Sequence, residues 1–389
     1  KASPVMTSPE NNQEIEKKAL ELKRYYDADY VRSANRHLMD TIANDYFRTE
    51  FIGFDGKEER VRPDCPIIYA SNHSGMAFPW DAIIFASQTL KAQNYDLKRM
   101  PRALAAPMLS QKRLTAPYLL PNFWKRCGCV DATTDNFETM MDSGESDVLI
   151  YPEGVPGIAK GFNNKYDLQR FSSSFVRMAI KHKTDIIPIS TVNAEYINPW
   201  TYASQTVNRL MNKLSIPFLP LGPILVPLLL FPWMFYFGFP AKLTYVVGRR
   251  IKPYEWVTKP FDEISLDEFR AIADKVRGLM QEDLNQAVEK YGKKPYKIMG
   301  LIKKLIRKPS LIWRISPPFW PALFHAHERA YYQNPGHEAD MKPGFMCILK
   351  SLFQTRFSLV FLIPLFGWIP VLFTGFKPNR PTLEAKNRS

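Results

Sequence analysis

Short apolar runs alternate with helical patterns in the middle of the chain, from residue 61 to about residue 260. Helical spacing of apolar residues predicts helices at 81–92 and 166–183. The apolar runs are rich in Ile, Val and Tyr and end at Gly, Pro or charged residues, and they predict strands at 66–70, 147–151, 185–190 and 242–248. Strands that alternate with helices predict an α/β fold in which helices flank a largely parallel sheet.

The segments on both sides of this α/β region have helical patterns. Residues 1–60 are mostly polar and charged, and apolar residues recur at helical spacing between about 11 and 45, which predicts one or two amphipathic helices. Residues 261–292 carry one continuous apolar stripe, which predicts a long amphipathic helix with a structural role. Ser265 and Glu268 have the spacing of a capping box at its start, and a glycine follows its last turn.

Two long stretches without charged residues predict contact with a membrane. Residues 214–241 are 28 residues with six prolines, and residues 357–376 are 20 residues with two prolines. Each stretch is as long as the helix of about 20 residues that crosses a bilayer, but proline interrupts a straight helix. We therefore expect 214–241, an insertion in the α/β region, to form a broken hairpin in the interfacial layer of the membrane. The second stretch is expected either to span the membrane or to dip into it.

The last region, 293–389, is basic as well as apolar. Within it, residues 296–314 combine Lys and Arg with apolar residues at helical spacing, a pattern typical of a surface helix on anionic lipid. The whole chain has a formal net charge of +14 and an isoelectric point of about 9.4, so its partners are expected to be anionic. We expect this region to associate with an anionic membrane surface, and it is also where protein partners are expected to dock.

Nucleic acid is the alternative anionic partner. The chain carries no nucleic-acid-binding fingerprint, and long apolar stretches have no use on a duplex, so membrane lipids are the predicted partner and nucleic acid is not. The mean hydropathy of −0.25 disfavours a polytopic transporter, so a monotopic or shallowly integral protein is expected. The sequence begins at Lys1 rather than at Met, which leaves any targeting segment unreadable and an organellar membrane open.

One histidine and one aspartate frame a turn in the stretch N-H-S-G-M-A-F-P-W-D-A, residues 72–82. His73 directly follows a predicted strand, at the edge of the sheet where open α/β sheets hold their ligands. Asp81 precedes an apolar helical run, so we expect it to cap that helix. If its carboxylate also reaches the imidazole, Asp81 fixes the tautomer of a general base. The alternative is purely structural, with His73 bonded to a loop carbonyl and Asp81 serving as a cap.

A second predicted strand is followed by a glycine-rich turn with a carboxylate. The stretch V-L-I-Y-P-E-G-V-P-G, residues 148–157, brings Glu153 and Gly154 to the same edge of the sheet as His73. Backbone N–H groups in such turns can hold an oxyanion or a phosphate, so the turns at Gly75 and Gly154 are candidate oxyanion sites. The two strand ends are expected to form one crevice.

Other catalytic and metal-binding patterns are missing or weak. The sequence contains neither a G-x-S-x-G elbow, nor a phosphate-binding P-loop, nor an H-E-x-x-H motif. His325, His327 and His337 suggest a metal ion, but no Cys or carboxylate stands at ligand spacing, so no metal site is predicted. Cys127 and Cys129 are expected to be buried packing residues rather than a redox pair.

Several blocks of sequence, taken in order, resemble a known family. They are N-H-S-G with the following Asp at 72–81, G-C-V-D-A-T-T-D-N at 128–136, Y-P-E-G-V-P-G at 151–157, S-F-V-R-M-A with I-I-P-I-S-T-V-N-A-E at 174–195, and K-L-T-Y-V-V-G-R-R-I at 242–251. In this order they resemble the phospholipid/glycerol acyltransferase superfamily, which includes the lysophosphatidate acyltransferases. The resemblance covers about residues 60–260.

The resemblance implies a role for each strand end. It makes His73 the general base on the acceptor hydroxyl and Asp81 the residue that orients it. It makes Glu153, Gly154 and Gly157 the block that binds the acceptor.

Two departures from the family pattern bear on the acceptor. Seven residues separate His73 from Asp81 instead of the usual four, and this longer loop resembles a divergent branch that acts on neutral lipids or less usual acceptors. The block at 128–136 lacks the arginine of phosphate-handling members, which disfavours a glycerol-phosphate acceptor. The remaining candidates for a phosphate contact are Lys160 and Arg177, with Lys165 and Arg170 as further substitutes.

The resemblance and the apolar stretches together predict a membrane-associated O-acyltransferase. It would move a fatty acyl group from an acyl thioester, either acyl-CoA or acyl carrier protein, to a glycerolipid or lipid-like alcohol, without a bound cofactor. The alternative is a catalytically inactive, acyltransferase-like subunit that binds lipid and has a structural role in a membrane protein assembly.

Overall fold

One seven-stranded sheet organises the chain in the computed structural model, which describes residues 9–54, 58–76, 78–97, 100–213, 216–334 and 337–379. The strand order is β1-β7-β6-β2-β5-β3-β4, and neighbouring strands are parallel except for β6 and β7. The strands are β1 Glu50–Ile52, β2 Ile68–Ser71, β3 Arg102–Ala105, β4 Val130–Asp131, β5 Val148–Ile150, β6 Ile186–Val192 and β7 Thr244–Val247. The prediction of an α/β fold with a largely parallel sheet is confirmed.

Seventeen α-helices surround this sheet in the described residues, joined by short 3₁₀ and π turns. They are α1 Pro9–Lys23, α2 Ala28–Ala34, α3 Trp80–Ala92, α4 Pro107–Gln111, α5 Phe123–Arg126, α6 Thr134–Ser143, α7 Val155–Ile158, α8 Ser174–His182, α9 Gln205–Lys213, α10 Leu225–Leu230, α11 Leu266–Tyr291, α12 Ile298–Arg307, α13 Ile312–Ile315, α14 Trp320–Gln333, α15 Phe345–Gln354, α16 Phe357–Val360 and α17 Trp368–Gly375.

The four predicted strands are confirmed within two residues at each end, as β2, β5, β6 and β7. Three further strands were not predicted. Strands β1 and β4 are only three and two residues long, and β3 is rich in alanine, which has a low preference for strands. Strand β1 lies after the helices predicted between about 11 and 45, in the part of residues 1–60 for which no strand was predicted.

One predicted helix cap and one predicted helix start are wrong. Helix α3 begins at Trp80 with Pro79 in the capping position, so Asp81 lies in the first turn and does not cap the helix. Helix α8 begins only at Ser174, whereas the prediction placed its start at residue 166. Side chains from distant segments accept hydrogen bonds from the backbone amides of this loop, which holds it out of the helix; the acceptors are Glu195 for Tyr166, Gln281 for Leu168 and Glu153 for Gln169.

The long helix predicted within 261–292 is confirmed as α11. The Ser265 hydroxyl accepts a hydrogen bond from the Glu268 amide at 3.2 Å, and the Glu268 carboxylate accepts one from the Ser265 amide at 2.8 Å. This reciprocal pair is the predicted capping box, which satisfies amides that a helix start leaves unbonded.

Each face of the sheet is covered by its own set of helices. Along β2, Ile68 and Ala70 pack on one face with α8 and α11, while Tyr69 packs on the other with α3 and the N-terminal helices. Alternation of this kind follows from the two-residue period of a strand. The sheet is therefore buried on both sides, as expected for parallel strands.

The region from residue 293 onwards contributes to this core. Trp320, at the start of α14, is fully buried, and its ring lies edge to face with that of Trp80 at 5.2 Å between centroids. Arg126 and Glu328 form a salt bridge at 2.9 Å, and the Tyr331 hydroxyl donates to Asp27 at 2.6 Å. Helix α14 thus joins the N-terminal helices to the α/β region.

In the described residues, both uncharged stretches are divided into short helices and turns. The first contains the six-residue helix α10 and a 3₁₀ turn at Pro232–Tyr236, and the second contains the short helices α16 and α17. No helix in the described part of the chain is long and apolar enough to cross a membrane. The basic segment at 296–314 forms α12, on which Ile298, Met299 and Ile306 are exposed.

Candidate active site

The His73 side chain is held at the carboxyl end of β2. Asn72 anchors the loop, since its amide nitrogen donates to the Thr191 carbonyl at 3.0 Å and its oxygen accepts from the Thr191 amide at 2.7 Å. The Nδ1 atom of His73 lies 2.7 Å from Oδ2 of Asp81, so the two side chains form the predicted contact across the longer loop. Asp81 is buried, whereas 13% of the His73 side chain is exposed.

The hydrogen-bond partners of Asp81 determine which nitrogen of His73 carries the proton. Its second oxygen, Oδ1, accepts a hydrogen bond from the Ala82 amide at 2.9 Å, and the Tyr245 hydroxyl donates to its backbone carbonyl at 2.6 Å. A carboxylate only accepts, so the proton of the imidazole lies on Nδ1 and the lone pair lies on Nε2. This is the tautomer that a general base requires.

Glu153 binds the backbone of His73 and does not face the crevice. Its Oε1 accepts from the His73 amide at 2.9 Å, and its Oε2 accepts from the Gln169 amide at 2.7 Å. Gly157 leaves the space for this side chain, because a Cβ there would lie 2.5 Å from that of Glu153. The structure therefore does not place Glu153 or Gly157 where an acceptor would bind, and it gives them a positioning role instead.

Lys160 is likewise turned inward. Its side chain is 2% exposed, and its Nζ lies 3.8 Å from Glu153 and 3.7 Å from Glu195. Burial raises the pKa of the Glu195 carboxyl, and the charge of Lys160 opposes that rise. Lys160 thus balances two buried carboxylates and is not a free phosphate contact.

The two predicted oxyanion turns differ. The Gly154 amide donates to the Tyr151 carbonyl at 2.8 Å, so Gly154 is not the free donor that the sequence predicted. Within the described residues, the Gly75 amide has no acceptor. Gly75 has a φ of +107°, and a Cβ there would lie 2.8 Å from the Ala194 carbonyl oxygen, so only glycine fits this turn.

The other predicted phosphate contacts lie away from His73. The guanidinium of Arg177 packs over the Phe269 ring, 5.5 Å from its centroid, on the face of the sheet that α11 covers. Lys165 and Arg170 are exposed, and the Lys165 ammonium lies over Phe162. None of them lines the cavity that begins at His73.

An apolar cavity of about 330 Å³ begins at His73 and Tyr151. Its volume lies at the lower end of the range of about 300–1,000 Å³ for ligand sites. Helix α3 provides part of the wall with a single face, made of Ala82, Ile83, Ala86, Ser87 and Leu90, and β3 and the turn after it provide another part. Among the described residues, His73 is the lining side chain that can carry a positive charge.

A comparison with family models identifies this part of the chain. The model described as Acyltransferase matches residues 54–192, which contain His73, Asp81 and Glu153. This match supports the assignment of residues 54–192 to the phospholipid/glycerol acyltransferase superfamily. The acyltransferase region therefore includes the strand ends, the histidine–aspartate pair and the α3 and β3 walls of the cavity.

The curated relatives of the chain have no stated activity. Uncharacterized proteins from Mycobacterium bovis and Mycobacterium tuberculosis are 27% identical over 260 residues, which is 67% of this chain and 67% of theirs. An uncharacterized protein from Mycobacterium leprae is 26% identical over 224 residues, which is 56% of this chain and 58% of its own. No solved structure matches the chain significantly.

Small side chains create the cavity of this acyltransferase region. Ala82 and Ala86 on α3 and Ala103 and Ala105 on β3 line it, and larger apolar side chains at these positions would fill the space. Leu90 lies eight positions after Ala82, so the helical wall is about 12 Å long at 1.5 Å per residue. Sequence analysis missed this cavity, although the alanines of R-A-L-A-A-P at 102–107 were the available signal.

Filling the cavity with Ala86→Phe is expected to change the substrate range. The phenyl ring would occupy the space between α3 and β3, so transfer from long-chain thioesters should fall while transfer from short-chain thioesters persists. Initial rates with a series of acyl chain lengths measure this change. Ala92→Phe, at the exposed end of the same helix, is the matched control. An unchanged chain-length profile for Ala86→Phe would show that the acyl chain does not occupy this cavity.

In the described residues, neither the cysteines at 127 and 129 nor the histidines at 325 and 327 form a redox pair or a metal site. Cys127 and Cys129 are free thiols that line the cavity, so the prediction of buried packing residues is only partly correct. Burial raises the pKa of Cys129 to about 12. His325 contacts the Tyr118 carbonyl and His327 contacts the Ser33 hydroxyl. In the described ranges, no three His, Cys, Asp or Glu side chains lie together as metal ligands.

Proposed function

We propose that this protein transfers a fatty acyl group from a thioester to a lipid-like alcohol, with His73 as the general base. One observation carries the proposal. The imidazole is held through Nδ1 by a buried carboxylate at 2.7 Å, while the histidine itself lines an apolar cavity large enough for a ligand. A base at the end of an apolar cavity fits a reaction between a hydroxyl and an acyl chain.

The reaction needs no covalent intermediate with the protein. The acceptor hydroxyl gives its proton to Nε2 of His73 as its oxygen attacks the thioester carbonyl. The tetrahedral intermediate then collapses, the carbon–sulfur bond breaks, and the proton passes from Nε2 to the leaving thiolate. Asp81 keeps the other imidazole proton on Nδ1 throughout and balances the positive charge that forms on the ring.

The Gly75 amide is the candidate donor to the oxyanion. It follows His73 by two residues, and in the described part of the chain it has no other acceptor. The positive φ of Gly75 sets the direction of the turn before the reaction begins, so no reorganisation is needed when negative charge develops. Glu153 contributes indirectly, because it holds the amide of His73 at the start of the same turn.

An uncharged acceptor fits the site better than a phosphate monoester. The block at 128–136 contributes Cys129 and Ala132 to the cavity wall, and neither side chain carries a positive charge. Lys160 is bound to Glu153 and Glu195. Diacylglycerol, a monoacylglycerol or a long-chain alcohol is the acceptor class that follows, with acyl-CoA or acyl carrier protein as donor.

The test is an acyl-transfer assay with purified protein in liposomes. Labelled acyl-CoA or acyl carrier protein serves as donor, and the acceptors are glycerol phosphate, lysophosphatidate, other lysophospholipids, diacylglycerol and long-chain alcohols. We expect a labelled ester from at least one uncharged lipid alcohol. Folded protein that forms no ester with any acceptor would overturn the proposal in favour of a lipid-binding structural subunit.

A further inference from the structure

We propose that α10, α16 and α17, together with the turns between them, form a surface that docks on an anionic lipid bilayer. We call this surface the apolar platform; it comprises residues 225–230 and 357–376. The docking does not require that the protein be an enzyme, so it can be tested independently of the proposed acyl transfer.

The platform is built from two stretches that lie far apart in the sequence. The Leu365 amide donates to the Leu230 carbonyl at 2.7 Å, and the Trp368 indole donates to the Leu228 carbonyl at 3.2 Å. The Trp368 ring also packs against Phe235, with 6.4 Å between centroids. These contacts hold the two stretches side by side, so their exposed faces form one surface.

Large apolar side chains project from both stretches into solvent. The most exposed are Phe366 at 73%, Phe373 at 70% and Ile369 at 67%, and from α10 Val226 at 65%. Ile369 and Phe373 are four residues apart on α17, so they share one helical face, and Phe366 lies in the turn before this helix. The platform also exposes Leu229, Leu230, Leu359, Ile363 and Leu365. An exposed apolar surface of this extent marks an interaction site.

The charge around the platform favours an anionic bilayer as the partner. No acidic residue occurs between Glu195 and Glu255 or between Asp340 and Glu384, the two parts of the chain that contain the platform. Cations border it, since Arg356 is exposed directly before α16 and Lys377 is exposed after α17. The Lys377 ammonium lies 4.4 Å from the centroid of Phe373, so an apolar group and a cation are presented together. Apolar side chains bordered by cations match the interface of a membrane that contains anionic lipid.

The platform is also continuous with the cavity. Leu228 of α10 lines the cavity, whereas Val226, Leu229 and Leu230 of the same helix are exposed. One short helix therefore separates the outer apolar surface from the cavity that begins at His73. This arrangement favours a lipid bilayer over a protein partner, because a bilayer supplies apolar chains next to that helix.

Vesicle co-flotation tests the docking directly. The probes are vesicles of phosphatidylcholine alone and vesicles of phosphatidylcholine and phosphatidylglycerol in equal parts. We expect the full chain to bind the mixed vesicles more tightly than the neutral ones. The double variant Phe366→Asp with Ile369→Asp should weaken binding to mixed vesicles at least about tenfold, because two large apolar side chains would no longer be buried in lipid.

Leu266→Asp is the matched control, because Leu266 is 59% exposed at the start of α11, outside the platform. It should bind vesicles as the unchanged protein does, and both variants should keep the thermal midpoint because the altered residues are exposed. Equal binding of the double variant and the control would overturn the proposal. A change from oligomer to monomer in the double variant without any vesicle binding would overturn it in favour of a protein partner.

Discussion

The His73→Gln variant is expected to lose about 10²–10⁴-fold in kcat/KM for acyl transfer, the range that general-base catalysis contributes. Glutamine can keep a hydrogen bond to Asp81, but its side chain has no basic nitrogen to accept the proton of the acceptor hydroxyl. The measurement is the initial rate of ester formation with the best acceptor, at several concentrations of acyl thioester.

His337→Gln is the matched control for this variant, since His337 is exposed and does not line the cavity. It should keep the full rate. A His73→Gln protein with the same thermal midpoint and the same rate as the control would show that another group takes the proton. Rate loss with unchanged KM for the thioester would indicate that the histidine acts on the chemical step rather than on donor binding.

The Lys160→Met variant is expected to destabilise the fold by about 3–5 kcal/mol, the cost of removing one partner from a buried charge cluster. Glu153 and Glu195 would both stay buried without their cation. The free energy of unfolding from urea titration measures this loss. Lys165→Met nearby is the control; Lys165 is exposed, and its replacement should change stability by no more than about 0.5 kcal/mol.

The destabilisation of Lys160→Met should depend on pH. Burial already raises the folded-state pKa of Glu195, and Lys160 opposes the rise. Without the lysine the pKa rises further, so the protonated carboxyl is favoured in the folded state. Stability is therefore retained at low pH and lost as pH rises through that raised pKa. The difference in the free energy of unfolding between Lys160→Met and the unchanged protein should shrink as the pH is lowered. A difference that grew would contradict the buried charge cluster.

The sequence predicted the chemical pair of the site but not the direction of every side chain in it. His73 and Asp81 lie in one local segment; the strand end and the turn left open whether they meet, and the family resemblance implied that they do. Glu153 also lies at a strand end, as predicted, yet its oxygens bind the amides of His73 and Gln169. Which way a carboxylate turns depends on amides elsewhere in the fold, and these have no local signal in the sequence.

The cavity and the loop at 166–173 depend on contacts between distant segments. Ala86 on α3 and Ala103 on β3 line one cavity only because the fold brings these two elements to it, and neither residue indicates this by itself. The loop has a helical pattern, but acceptors from Glu195 and Gln281 bind its amides and override that preference. The four confirmed strands were predicted because burial on both sides of a parallel sheet leaves continuous apolar runs in the sequence.

Helix α10 has a consequence for how the reaction would be measured. Leu228 faces the cavity and Val226 faces outward, so with the platform on a bilayer the lipid substrate would reach His73 without dissolving in water. The governing concentration would then be the mole fraction of acceptor within the membrane plane rather than its molarity in solution. Dilution of the acceptor with inert lipid would slow the reaction even at constant bulk concentration, and the ester formed would return directly to the same two-dimensional phase.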